Sequence, residues 1–549
     1  MCIAALLIAV EFCFEYWASG VKARGRKVFF SEEKKPKTFV LWPVCWLGDP
    51  NGRKRPLVCF QTGTLFPSWG AAFGAACQDL ADARYRQSRH SLVTWLLRNE
   101  DVPTPRPTET LEAIVKTYKR TDRGIRPATV TLLAFLPFAA HAAPALTTLY
   151  TFTGGVDGSH PEGGVVFGQD GRLYGTTAAG GLYDDVYGAG GGTVFALAPP
   201  SHHGTVWTEN VLVNYYGGTM GQNCSEPVIA DNGVAGYGPV SAPSFDPAGN
   251  LYAAASQAGC DEGTIVELSP GTGGFTIANV LQFDLDSNAP GNLPLDWGGL
   301  VFDSAGNVYG TTVGDGLYHD GELFEIPAGL TGNVVNLLES FQANTPVGYG
   351  PQTGVVFGPN GVIYGTTGGN INGGTDSTVF RRNTDGSITV LHSFEAASGI
   401  DPGPLVVHDR KIYGTAMNGG MLPGGYGQGV VYELKPTAHG GHYTVLHTFG
   451  QGTDGAHPFS IMFGRGGVIY GNTVNGGPDG VSGIIFKLTP AGEGQPWTET
   501  VEWQFNSNDA NGGNPIGNLA MDRSGAIYGT NEGGGSGPAA YGTVFKLVP

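Results

Sequence analysis

Charge is what this sequence has least of: only 14% of its 549 residues are Asp, Glu, Lys or Arg. A chain so poor in charge is still no disordered polymer, because 11% of it is aromatic and 41% hydrophobic, the shares of a folded protein. Glycine is abundant at 90 residues, roughly twice the usual share, yet it does not recur at every third position, which excludes collagen. Long apolar runs are missing. The run from Ala128 to Ala140 spans 13 residues, well short of the ~20 that cross a bilayer as a helix. Also absent are His-Glu-x-x-His, Gly-x-Ser-x-Gly and any pair of Cys-x-x-Cys motifs, so the chain offers no familiar metal or nucleophile signature. We expect neither a metal nor a cofactor.

The little charge present is split. Residues 1–126 carry 20 Lys and Arg against 12 Asp and Glu, whereas residues 143–549 carry 10 against 35. Five of the seven cysteines (Cys2, Cys13, Cys45, Cys59 and Cys77) fall in the basic part. Between the parts, Arg120, Arg123 and Arg126 precede the apolar run, which holds Pro137 and ends in Ala140-His-Ala142. Basic flank, short apolar stretch and small-x-small triplet are the pattern of a secretory signal peptide. We therefore read 115–142 as signal peptide and 143–549 as the exported body. Residues 1–114 are then either an upstream extension created by a mis-assigned start, with Val115 as an alternative, or a genuine basic domain opening on an anchor at Cys2–Val10. The acidic body has too few cations to bind nucleic acid by counterion release.

The body repeats itself. A strand centred on Tyr recurs seven times, at Tyr174, Tyr252, Tyr309, Tyr364, Tyr413, Tyr470 and Tyr528, with spacings of 78, 57, 55, 49, 57 and 58 residues. Before each lies an apolar strand and a turn, often Asp-x-x-Gly-Asn, as at Asp246–Asn250 and Asp303–Asn307. After each come a Gly-rich loop, a third strand such as Thr543-Val-Phe-Lys-Leu547, and a fourth ending in an aromatic such as Phe449. Four short strands per repeat of about 50 residues predict an all-β, seven-bladed β-propeller with four-stranded blades. The last repeat lacks its fourth strand, while Leu146–Phe152 reads as a lone fourth strand, so the N-terminal strand of the mature protein is expected to close the ring.

The phrases Gly299-Leu-Val-Phe-Asp303, Val308-Tyr-Gly-Thr-Thr312, Thr543-Val-Phe-Lys-Leu547 and Trp497-Thr-Glu499 resemble the GloVer tandem repeats of exported bacterial proteins. The resemblance covers residues 146–549. It implies export and a propeller-like fold, and it implies no particular activity or catalytic residue.

Candidate binding residues come from the loops that this strand order places on one face. Asp157-Gly-Ser-His160-Pro161 recurs as Asp454-Gly-Ala-His457-Pro458, with a related turn at Asp401-Pro402, and Tyr183 and Tyr187 stand in the first Gly-rich loop. As ligand groups they offer hydrogen bonds and stacking surfaces; as structural groups the Asp-Gly and Pro residues simply shape each crossover. Asp284, Asp286 and Asn288 have calcium-loop spacing but lack the Gly and Glu that complete such a loop. Cys224 and Cys260 fall in connections expected on the same face, where an exported protein would join them as a disulfide. The function expected is a binding or scaffold module for an extracellular polymer or protein partner. An exported polysaccharide-active enzyme and a surface-assembly protein are the alternatives. N-terminal sequencing of secreted protein should find Ala143 as its first residue; a secreted form that retains residues 20–114 would contradict the assignment.

Overall fold

The structure, a computed structural model, describes residues 143–549 apart from 184–189, 201–205, 217–227, 230–232, 256–262, 273, 283–298, 315, 330–333, 369–376, 451–452, 492–496, 507–509 and 535–540, together with six short strands between residues 40 and 133. Tyr187, Cys224, Cys260 and the Asp284–Asn288 loop lie outside the described residues. Contacts divide the chain into two units, residues 1–141 and 142–549, and all seven repeats belong to the second.

Seven antiparallel sheets form the blades of a β-propeller, and no α-helix occurs among the described residues. Blade six shows the plan, with strands Ala456–Phe463, Ile469–Asn475, Ile484–Thr489 and Thr498–Gln504 hydrogen-bonded in sequence order. The Tyr anchors occupy the second strands, as in Leu173–Thr177 and Ile363–Thr367. Two blades depart from four strands. Blade one gains Gly233–Ala235, parallel to its fourth strand, and Val228–Ile229, both from the extra length that makes the Tyr174–Tyr252 spacing 78 residues. In blade five, Ile400–Pro402 and Val406–His408 share the second strand Lys411–Asn418. Blade seven draws its fourth strand from the other end of the unit: Ala145–Thr151 pairs antiparallel with Thr543–Val548.

The turns between first and second strands follow from their side chains. Asp246 accepts from the Asn250 backbone N–H at 2.8 Å and from its amide at 2.9 Å; Asp303 and Asn307 repeat the arrangement. A carboxylate that satisfies the turn backbone locally fixes the hairpin at each of these sites.

No single core exists. The described buried apolar residues fall into seven clusters, and each straddles one interface between neighbouring blades. The seam between blades seven and one contains Tyr528, Val544 and Phe152 against Val165, Leu173 and Phe195. Each Tyr anchor reaches the first strand of the next blade. Tyr174 meets Phe245 edge-on at 5.3 Å, Tyr252 meets Phe302 at 4.9 Å, Tyr309 meets Phe357 at 5.1 Å, Tyr413 meets Phe463 at 4.8 Å and Tyr528 meets Phe167 at 5.0 Å. A second aromatic series runs farther out. The aromatic closing a fourth strand packs on the third strand of the next blade in five seams: Phe152 on Phe195, Phe341 on Phe380, Phe394 on Tyr432, Phe449 on Phe486 and Phe505 on Phe545. Such pairs contribute about 0.5–1.5 kcal/mol each beyond their buried area.

The glycine after each Tyr is dictated by this packing. Gly471 stands opposite Phe486 in register, and a Cβ there would collide with the Phe486 ring. At Gly310 and Gly529 the corresponding approach to Phe324 and Phe545 is 2.7 Å, inside any real Cβ contact. Blade two verifies the constraint from the other side: its glycine is Ala253, and the opposing aromatic has shrunk to Val266. Gly471→Ala should therefore lower stability by about 1–3 kcal/mol. Combined with Phe486→Val it should recover part of the loss, with a coupling of about 0.5–3 kcal/mol in a double-mutant urea cycle; strictly additive losses would show that ring and glycine are independent.

Candidate functional site: the crossover face

In a four-stranded antiparallel blade, the loops joining second to third strands and the crossovers between blades emerge at one end. The hairpin turns emerge at the other. The first end is the crossover face, and it receives Asp157, His160, Tyr183, Asp401, Asp454 and His457.

Three of these residues owe their place to backbone geometry. His160, Asp401 and His457 have φ of 55°, 58° and 56°, as does Asn514 at 56°, and each immediately precedes a proline. Gly238 and Gly350 hold the same place in other crossovers, at φ of 63° and 61°. Left-handed backbone admits Gly, Asn, Asp and His far more readily than branched residues. The conformation aims the His160 N–H at the Tyr541 carbonyl (2.9 Å), that of His457 at Gln428 (2.8 Å) and that of Asn514 at Ser482 (2.9 Å), each in a loop of the preceding blade. The following proline then packs on the glycine that begins that blade's third strand, Pro515 on Gly483 and Pro351 on Gly321, each at 2.7 Å from where a Cβ would stand. The side chains are held as well. His457 Nδ1 lies 3.0 Å from Asn475 Oδ1, His160 Nδ1 lies 3.2 Å from Ser159 Oγ, and Asp401 accepts from Asn418 Nδ2 at 2.8 Å.

The two Asp-Gly residues sit deeper. Asp157 is 6% exposed and accepts from Tyr150 Oη at 3.0 Å, the Thr153 N–H at 2.9 Å and Thr153 Oγ1 at 2.5 Å. Asp454 accepts from the Gly450 N–H at 3.2 Å and lies 3.8 Å from His447 Nε2. Tyr183 stands edge-on to Tyr216 at 6.1 Å, beside the exposed Leu182.

Three carboxyls escaped sequence reasoning: Glu162 in a crossover, and Glu209 and Glu499 near the starts of the fourth strands Thr208–Tyr216 and Thr498–Gln504. Burial, and then neighbouring Glu532, pushes Glu162 up to about 7. Burial, and then Asp157, pushes Glu209 up to about 7. Glu499 rises to about 6 through burial; His447 opposes the rise, and Asp454 and Glu502 add to it. One oxygen of Glu209 and one of Glu499 is buried without a hydrogen-bond partner. Glu209 and Glu499 close the two Trp-Thr-Glu motifs, and each follows one of the two Asp-Gly-x-His-Pro crossovers. That pairing of motifs was the available signal.

Between the first strands lies a cavity of about 190 Å³, lined by Val301, Val355, Leu405, Ile461 and Leu519 with Thr353 and Asn518. No group of three or more His, Cys, Asp or Glu among the described residues is placed to hold a metal ion. No helix among them is long and apolar enough to cross a membrane.

Repeated blades, a closed set of inter-blade seams and an elaborated loop face define a seven-bladed β-propeller of tandem-repeat type. The chain belongs to the Gloeobacter/Verrucomicrobia repeat family, whose model matches residues 228–425 and 403–549. No curated protein matches its sequence. Among solved structures, it is similar to a Bacteroides uniformis protein assigned as a 6-phosphogluconolactonase, at 13% identity and TM-score 0.38 over 61% of this chain and 83% of that one. A Lactobacillus plantarum protein matches at 15% identity and TM-score 0.39, over 62% and 84%. The extracellular domain of a B. thetaiotaomicron protein assigned as a one-component system matches at 9% and 0.40, over 73% and 39%. At these TM-scores the likenesses carry no argument about activity or ligand.

The left-handed crossover sets a test. His457→Val should lower stability by about 1–2 kcal/mol more than His457→Gly, read from urea melts. Equal losses would place the role of His457 in its ring rather than its backbone.

Proposed function

We propose that the protein is an exported binding module that holds an extracellular polymer or protein partner on its crossover face. Residues 115–142 direct export in this reading, and residues 143–549 do the binding. The observation that carries it is the distribution of exposed apolar side chains. Seven of the twelve large ones described stand in crossovers or in loops between second and third strands, among them Leu317 (71% exposed) and Tyr426 (68%). Water-facing Leu, Met, Val and Tyr gathered on one face mark an interaction surface. Glycine-rich loops that present Tyr supply contact area at low entropic cost, as antibody loops do. Tyr183, His160, Asp401 and His457 are half-buried there, where they supply polar contacts. Tyr187 and a Cys224–Cys260 disulfide belong to the same proposal.

Glycan and peptide arrays probed with the full chain test the class before the ligand. Binding is expected to fall at least fivefold in Leu317→Ser/Tyr426→Ser, and by a smaller factor in His160→Asn/His457→Asn, which removes both imidazoles but keeps residues suited to left-handed backbone. A polysaccharide turned over by the wild type, with turnover lost in the histidine pair, would replace this reading with the enzymatic one.

A further inference from the structure

All ten Lys and Arg residues of 143–549 are described, and none stands on the crossover face. Arg172, Arg410, Arg465 and Arg523 lie in hairpin turns at the opposite end, and Lys411 begins the second strand beside one of them. The other five sit in the closing halves of third strands, running toward that same end; Lys487 and Lys546 are examples, beside Tyr470 and Tyr528. Several cations there are paired: Lys411 with Glu433 at 2.8 Å, Lys487 with Glu502 at 3.6 Å and Lys546 with Asp522 at 3.9 Å.

The crossover face has no such compensation. Glu162 and Glu395 lie in crossovers, Asp320 and Asp479 in loops between second and third strands, and Glu532 near the end of blade seven's second strand. Glu395 and Asp479 are exposed, while Glu162, Asp320 and Glu532 are half-exposed. Placing every cation of a body with 10 basic and 35 acidic residues at one end leaves the other with a one-signed field. Such a field attracts oppositely charged partners and repels anionic ones.

We propose that the crossover face docks a cationic polypeptide segment. Its Lys and Arg side chains meet Glu162, Glu395 and Glu532, while its aliphatic side chains cover Leu317, Met421 and Tyr426. This deepens the binding-module reading and rests on it. Two independent features select the partner. The cation-free face excludes anionic polysaccharide and nucleic acid. The exposed Leu, Met and Val want apolar contact, which a polypeptide supplies and a neutral sugar chain does not.

The test uses the full chain and a synthetic peptide of alternating Lys and Leu, with poly-L-glutamate and dextran alongside, measured by biolayer interferometry. The Lys/Leu peptide is expected to bind, with Kd rising at least about tenfold between about 50 mM and about 500 mM NaCl as screening shortens the field. Glu395→Lys and Glu532→Lys, neither carboxylate being tied into a turn, should each raise Kd at least about threefold. Asp385→Lys, the same charge change in a hairpin turn at the far end, should stay within about twofold. Circular dichroism melts establish that each variant is folded. Equal weakening by all three variants would reduce the effect to net charge and overturn the proposal, as would failure of the peptide to bind. Salt-insensitive binding of dextran, lost in Leu317→Ser/Tyr426→Ser, would overturn the cationic partner while leaving the crossover face as the binding surface. That reading falls separately, if array ligands are found and the Leu317/Tyr426 pair leaves their binding unchanged.

Discussion

The packing of each repeat's Tyr on the first strand of the following blade, edge-on to a Phe for Tyr174, Tyr309, Tyr413 and Tyr528, is the interaction on which the architecture depends. A single repeat unit cannot bury its own apolar faces, and the described buried residues form no cluster confined to one blade. Stability belongs to the seams. Polar ties at the same seams fix the angle between blades: Thr176 Oγ1 donates to the Ser241 carbonyl at 2.7 Å, and Thr415 Oγ1 to that of Phe459 at 2.7 Å. In blade six an asparagine takes the place of this threonine, and Asn472 Nδ2 donates to the Pro515 and Gly517 carbonyls at 3.1 Å each. The phrase Tyr-Gly-Thr is thus a compact joint. Its ring packs forward, its missing side chain admits the ring of the adjacent strand, and its hydroxyl fastens the next backbone.

This is why the fold was legible in the sequence and the surface chemistry was less so. Seams repeat, so they leave a periodic record of Tyr, Gly and terminal Phe that needs no structure to read. The crossovers repeat too, but their recurring His and Asp record a backbone requirement, which from sequence alone looks the same as a ligand-binding pattern. His160, Asp401, His457 and Asn514 share φ near 56°, a fact no residue count contains. Glu162 and Glu532 come from blades one and seven, at opposite ends of the body's sequence, and only ring geometry sets them side by side. The extra strands of blades one and five were illegible for a related reason. Val228–Ile229 and Ile400–Pro402 are too short to carry a period.

The two ends of the molecule then divide their labour by chemistry. The hairpin end is built from Asx turns and ion pairs, with carboxylates satisfied locally by backbone N–H groups or by lysine. The crossover end is built from glycine, left-handed corners and prolines, which shape the backbone without consuming surface side chains. That leaves its loops free to vary in length and composition while the joints below them stay fixed, the usual division between scaffold and recognition surface.

Blade seven imposes an order of events on the chain. Val544 finds its partner in Tyr150, so the first strand of the unit to emerge during synthesis waits for nearly the last. Until Thr543–Val548 appears, Ala145–Thr151 has no sheet to join, and the seam between blades seven and one stays open. The unit therefore reaches its final state only after Thr543–Val548 has been made. Pairings across so long a separation form slowly, which lengthens the interval before the seam between blades seven and one closes.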